Sequence, residues 1–264
     1  MRFFFTNRIN LLNARETSRP PSFVNSSAVF GKCLNDVRRL IDLQASSIYS
    51  DLSQVLPSVN GTFLDVGCGA QPYRHLLAKN TQYIGIDTDD SLVRFGYQNL
   101  GTVYYRGGCW PVGAASQDTV MATETLEHVS HPSHFIAEAR RVLKSEGWLI
   151  LTVPFAVRWH YILHNYWRFT PSGLKLLLTE AGFTRIEVYG RGNAATVACY
   201  KNLSLILGLM FGCYRYRLTT VMARLVGVSL LPVVLVLNVI GQLSLKFGGG
   251  CDTLGYTVFA RREK

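Results

Sequence analysis

The chain has 264 residues, a formal net charge of +10, 48% hydrophobic residues and 17% charged residues. This composition excludes wholesale disorder and leaves room for one large domain or two small ones around a substantial core. The positive excess points to nucleic acid or an anionic membrane surface. The six cysteines (Cys33, Cys68, Cys109, Cys199, Cys213, Cys251) form no C-x-x-C pair and read as reduced thiols of a cytosolic protein, with no metal site.

The first twenty residues are basic and poor in acids, and Phe3-Phe4-Phe5 is too short for a signal-peptide core. They read as a surface lead closed by Pro20-Pro21. Apolar residues from Val29 to Leu52 recur at helical spacing, which predicts a helix over residues 26–57. Residues 1–58 are therefore a basic lead plus a helix.

From residue 62 short β runs alternate with helical ones. Strands are predicted at Thr62–Val66, Tyr83–Ile86, Val103–Tyr105, Thr119–Ala122, Trp148–Val153, Arg185–Tyr189 and Tyr256–Arg261. Helices are predicted at Pro72–Ala78, Asp90–Tyr97, Pro132–Leu143 and Ser172–Ala181. This alternation implies an α/β fold with a doubly wound, mostly parallel sheet, its core at residues 59–190.

After Gly192 the alternation stops. Leu203–Gly212 is apolar, Arg215, Arg217 and Arg224 interrupt, and Leu225–Leu245 runs 21 residues without a charge. Residues 191–250 thus read as an apolar helical insertion, and residues 251–264 return the chain to the last strand. From Arg191 onward there are nine Lys or Arg against Asp252 and Glu263, which leaves +7 of the net +10 here. Basic and apolar together favour a membrane over nucleic acid. Leu225–Leu245 is just long enough to span, but Leu203–Gly212 is not, and Pro232, Asn238 and Gln242 weaken a simple span. The expectation is peripheral membrane contact through residues 203–245, with a buried helical subdomain or an apolar dimer interface as the alternative.

The strongest local signal is Asp65-Val66-Gly67-Cys68-Gly69, where a strand must end, turn and approach a ligand closely. Glycines at 67 and 69 permit this, and free amides near a helix start suit an anionic group. Asp87 ends the next strand about twenty residues on, where a carboxylate can take ribose hydroxyls. A dinucleotide would want a third glycine where Pro72 stands. Asp65 beside a pyrophosphate would repel it but would attract an ammonium, which S-adenosylmethionine carries.

These residues resemble class I S-adenosylmethionine-dependent methyltransferases, particularly the type-11 branch, over about residues 60–190 and the last strand. Further matching segments are Asp118–Val129, with its Leu126-Glu127-His128 turn, Val153-Pro154-Phe155, and Tyr166–Pro171 leading into Gly173-Leu174 and Ala181-Gly182-Phe183. The resemblance implies a seven-stranded Rossmann-like sheet whose last strand, Tyr256–Arg261, is antiparallel. It implies a cofactor held by Asp65, Gly67, Cys68 and Gly69, ribose held by Asp87, Thr88 at the adenine edge, and Thr123 and Glu124 facing the cofactor. Arg106–Pro111 lacks the acid that many relatives use at adenine, which leaves open a non-catalytic binding or scaffold protein with this fold.

Methyl transfer needs alignment, and a base when the acceptor is a hydroxyl. The candidate bases are His160 and His128, with His164, Tyr166 and Arg168 as substrate contacts. His160 and His164 lack a third metal ligand. The Asn/Asp-Pro-Pro-Tyr string of base and glutamine methylation is absent after the fourth strand, as is the Pro-Cys nucleophile of pyrimidine methylation. The expected acceptor is therefore a hydroxyl on a small molecule, a lipid or a lipid-linked compound, and nucleic acid is disfavoured.

Overall fold

A computed structural model describes residues 36–91, 101–158, 164–212, 216–248 and 251–263. Seven strands form one sheet: β1 (Thr62–Val66), β2 (Gln82–Thr88), β3 (Thr102–Tyr105), β4 (Gln117–Thr123), β5 (Leu143–Pro154), β6 (Thr184–Arg191) and β7 (Gly255–Arg261). Their order is β3-β2-β1-β4-β5-β7-β6, and β7 alone runs antiparallel to its neighbours. The chain is thus a Rossmann-like α/β fold with the antiparallel last strand that the resemblance implies.

Strands covered on both faces should be apolar throughout. Leu149, Ile150, Leu151 and Val153 of β5 are buried on alternating faces accordingly. One face packs Leu64, Val66, Val120 and Leu149 against α2 (Pro132–Val142) and α3 (Pro171–Glu180). The other packs Phe63, Met121 and Ile150 under Ile48, Leu52 and Leu56. Ile48 and Leu52 lie on α1 (Leu43–Val55). The expected helix over 26–57 is described only from residue 36, and it breaks at Asp42, whose carboxylate caps Gln44 and Ala45. An Asp at this position satisfies otherwise orphaned amides and so starts a new helix.

Other boundaries also move. The expected helix at Pro72–Ala78 is only a 3-10 turn, Arg74–Leu76. Gln71 adopts φ 54°, and Asp87 holds the Gly69 amide, so the chain leaves β1 through a turn too irregular to propagate a helix. The expected helix at Asp90–Tyr97 lies outside the described residues beyond Ser91. The insertion contains α4 (Ala194–Phe211), α5 (Arg217–Ser229) and α6 (Leu231–Ser244). Helix α4 starts well before Leu203 because Asn193 and Thr196 form a reciprocal capping box. The uncharged run Leu225–Leu245 is not one rod: α5 and α6 meet at Leu230 with a bend of 56°, Pro232 lying in the first turn of α6.

Position matters more than length here. Gly255 of β7 pairs with Arg191 of β6 and with Pro154 of β5. The insertion therefore leaves and returns at the carboxyl end of the parallel strands, the same end as the turn after β1.

Candidate functional site at the carboxyl end of the sheet

Gly67 has φ 69° and Gly69 φ 47°, a region that disfavours a Cβ. A Cβ on Gly67 would stand 2.5 Å from Thr125 Oγ1, so the turn is closed to any side chain. Its amides are partly committed. The Gly67 N–H donates to Ile86 O at 2.9 Å and the Gly69 N–H to Asp87 Oδ2 at 2.9 Å. Asp87 also accepts from the Thr88 N–H through Oδ1 at 2.7 Å. Asp87 therefore ties the turn to β2, and each carboxylate oxygen keeps acceptor capacity.

Asp65 is buried, and its Oδ2 accepts from the Tyr83 hydroxyl at 2.8 Å. Burial first, and the Asp87 charge second, push its carboxyl up to about 7 against the Tyr83 hydrogen bond. Cys68 is buried beside Thr102, and burial pushes its thiol up, so it is a packed side chain with no nucleophilic character. Thr88 accepts from Ser91 Oγ through its carbonyl at 2.7 Å.

The second half of the site follows β4. Thr123 Oγ1 is buried without a hydrogen-bond partner. Glu124 stands at φ 49° and is already engaged: Oε1 pairs with Arg191 Nη2 at 2.8 Å, and Oε2 accepts from Gln44 Nε2 at 2.5 Å. It links β4 to β6 and to α1. Glu127 in the next 3-10 turn (Leu126–His128) is wholly buried, and neither carboxylate oxygen has a hydrogen-bond partner. Burial, then the neighbouring Glu124 carboxylate, raise its carboxyl well above the ordinary range, with Arg168 and Arg191 opposing.

The loop that carries Tyr166 and Arg168 lies against the turn that carries His128. The Glu127 carbonyl accepts from the N–H groups of Tyr166 (2.8 Å) and Trp167 (3.3 Å), folding that loop over the turn. His128 Nδ1 lies 3.0 Å from the His164 carbonyl, and its Nε2 lies 3.6 Å from Glu127 Oε1. The His164 ring is exposed and stacks on Tyr166. Arg168 Nη1 donates to Asn165 Oδ1 and to the Trp167 carbonyl. His160 lies outside the described residues. Among the described residues no group of three His, Cys, Asp or Glu side chains could hold a metal ion.

Sequence reading missed Arg191, Glu127 and Gln44. Arg191 is counted there only among the basic residues of the insertion, yet its side chain is fully buried. An arginine closing a strand, next to Gly192 and before a helix cap, is the signal that was available. Glu127 is masked by its neighbour: in Leu126-Glu127-His128 attention goes to the histidine.

Comparison with known proteins fits this geometry. A family model described as a methyltransferase domain matches residues 37–188. Among solved structures, a methyltransferase from an antibiotic biosynthesis pathway of Anabaena variabilis superposes with a TM-score of 0.53 at 17% identity, covering 84% of this chain and 98% of that one. A SAM-dependent methyltransferase from Thermotoga maritima, described as a possible histamine N-methyltransferase, gives a TM-score of 0.52 at 14% identity, covering 85% and 91%. These likenesses concern the fold. Among curated proteins, the 37.1 kDa protein of transposon TN4556 from Streptomyces fradiae is 35% identical over 101 residues, covering 34% of this chain. The match spans only 29% of that relative's length.

Proposed function

Since the chain belongs to the methyltransferase domain family and is an S-adenosylmethionine-dependent methyltransferase, we propose that its acceptor is a hydroxyl of a lipophilic or lipid-linked molecule met at a membrane surface. Its motifs read closest to the type-11 branch of class I. The observation that carries the proposal is the placement of the insertion. Of 25 large hydrophobic side chains exposed among the described residues, 17 lie between Leu205 and Phe247. Residues 192–250 carry no acid but five basic residues (Lys201, Arg215, Arg217, Arg224, Lys246). An apolar surface of this extent with basic residues around it is the chemistry of an interfacial helix group on anionic lipid. It is rooted beside the reaction site, because Arg191 precedes α4 by three residues.

Helix α4 is long and apolar enough to cross a bilayer, and α5 with α6 passes the same test only as a bent pair. The bend and the polar anchors of α6 favour helices lying in the interface. Asn238 Nδ2 and Gln242 Nε2 donate to the carbonyls of Ile41, Arg39 and Leu40, which tie α6 to the segment before α1.

Bound S-adenosylmethionine supplies an activated methyl group on a sulfonium. Asp65 would hold its ammonium, since a buried carboxylate that accepts a side-chain hydrogen bond, among the described residues, only from a neutral phenol favours a cationic neighbour. Gly67, Cys68 and Gly69 would line its methionine part, Asp87 its ribose and Thr88 its adenine edge. Thr123 would face it with an otherwise unpartnered hydroxyl. Glu124 would shape the wall through Arg191. His128 would hold the proton released by the acceptor hydroxyl: the His164 carbonyl fixes Nδ1 as the donor, and Nε2 faces the Glu127 carboxyl at 3.6 Å. His164 and Tyr166 would border the acceptor.

Flotation of the full-length protein with phosphatidylcholine vesicles, with and without phosphatidylglycerol, tests the reading. Binding that grows with the anionic lipid and weakens with salt is expected. A protein that stays soluble and monomeric without lipid and ignores both vesicles removes the membrane from the account.

A further inference from the structure

Charged groups rarely sit in a protein interior without partners, because desolvation is compensated only by good hydrogen bonds. The carboxyl end of the sheet violates this at one place. The Arg191 side chain has no exposed surface, and only Nη2 is used, by Glu124 and by the Val153 carbonyl at 3.0 Å. Its Nε and Nη1 are buried without hydrogen-bond partners, as are Arg168 Nη2 and Asn165 Nδ2. Four donors, three of them on guanidinium groups, are therefore unmatched in one region. The loop carrying Asn165 and Arg168 is hydrogen bonded to the turn carrying Glu127, and Glu127 interacts electrostatically with both arginines.

The fold has built this arrangement. Gly255 is glycine because a Cβ there would strike Arg191 Nη2 and the Val153 carbonyl, so the β5–β7 pair makes room for the guanidinium. Glu124 neutralises one side of Arg191. Glu127 makes no hydrogen bond to either arginine, and burial with the Glu124 charge raises its carboxyl above the ordinary range, which weakens it as their counter-ion.

We propose that Arg191, Arg168 and Asn165 bind an oxyanion, a phosphate or a carboxylate, carried by the methyl acceptor. This rests on the reading above only in placing the acceptor at this end of the sheet, and it adds to that reading the class of the acceptor: an anionic compound. Planar guanidinium forks suit tetrahedral phosphate or planar carboxylate oxygens, which accept two donors each. The anion belongs either to a lipid headgroup or to a free small molecule.

Titration calorimetry on the full chain loaded with S-adenosylhomocysteine tests this, with inorganic phosphate as one probe and dihexanoyl phosphatidic acid below its micellar concentration as the other. Wild type is expected to bind at least one probe. Arg168→Gln, at a partly exposed position, is expected to weaken binding about tenfold, the loss of one charge-assisted hydrogen bond. Arg191→Lys, which keeps the charge but loses the fork, is expected to do the same. Tighter binding of the lipid phosphate assigns the anion to a headgroup, and equal binding assigns it to a free small molecule. Wild type that takes up neither probe, or an Arg168→Gln variant that binds both as wild type does, overturns the proposal. Vesicle flotation of the same variants keeps the outcomes apart, because the membrane reading fails there and the anion site fails here.

Discussion

Arg191 Nη2 and Glu124 Oε1 stand 2.8 Å apart across the carboxyl ends of β6 and β4, and the arginine is sealed from solvent. One ion pair thus joins the nucleotide half of the sheet to the strand that launches the insertion. Gln44 extends the link to α1 through the other Glu124 oxygen.

Removing one partner of a buried pair leaves an uncompensated charge and costs roughly 3–5 kcal/mol. Glu124→Gln, which leaves the sealed guanidinium without its counter-charge, is expected to destabilise by close to that amount, and Arg191→Met, which leaves only the partly exposed Glu124 unpaired, by clearly less. Denaturant unfolding of the two variants checks the order. Equal losses would place the cost elsewhere than in burial of the guanidinium.

Gly67→Ala is expected to lower S-adenosylhomocysteine affinity by about tenfold or more, since the added carbon meets Thr125 and the backbone is already at φ 69°. Gly101→Ala is a control with φ 87° but open space around it. It should leave affinity nearly unchanged. Calorimetry on both variants separates a closed turn from general glycine strain.

Asp65 gives a pH dependence of definite sign. Its folded carboxyl sits at about 7, far above the unfolded value, so the folded state holds the proton more tightly. The cofactor-free protein should therefore lose stability as pH rises from about 4 to about 7, a loss that Asp65→Asn flattens. Glu127 contributes in the same direction and persists in the variant. Cofactor affinity should run the other way, rising with pH through about 7 as Asp65 ionises beside the ammonium, and losing that rise in Asp65→Asn. Unfolding midpoints and cofactor titrations across this range check both signs.

The exposed face of α5 and α6 includes Leu218 at 73% and Leu235 at 68% of full exposure. Leu235→Glu is expected to reduce vesicle binding strongly with no change in cofactor affinity. Arg217→Gln and Arg224→Gln should each weaken binding to anionic vesicles by about 1 kcal/mol, near fivefold. Flotation at two salt concentrations measures both effects.

The parts legible in sequence are those whose signals are local. Asp65, Gly67 and Gly69 lie in one turn, and Asp87 lies one strand away. The apolar run of β5 and the alternation of strands and helices follow from short-range periodicity. What escaped depends on contacts far apart in the chain. Glu124 and Arg191 are 67 positions apart, and Gln44 and Glu124 are 80 apart, so no spacing rule links them. The helix expected at Pro72–Ala78 failed for a tertiary reason, because Asp87 holds the preceding turn in an irregular shape. The break at Leu230 was signalled by Pro232, but the direction taken by α6 is set by its hydrogen bonds to residues 39–41.

Transfer of label from methyl-tritiated S-adenosylmethionine to a membrane lipid extract presented in vesicles tests the central claim most directly. Label is expected in the organic phase, dependent on the wild-type turn and lost in Gly67→Ala. Label that appears only on water-soluble acceptors, from a protein that remains off the vesicles, would contradict it.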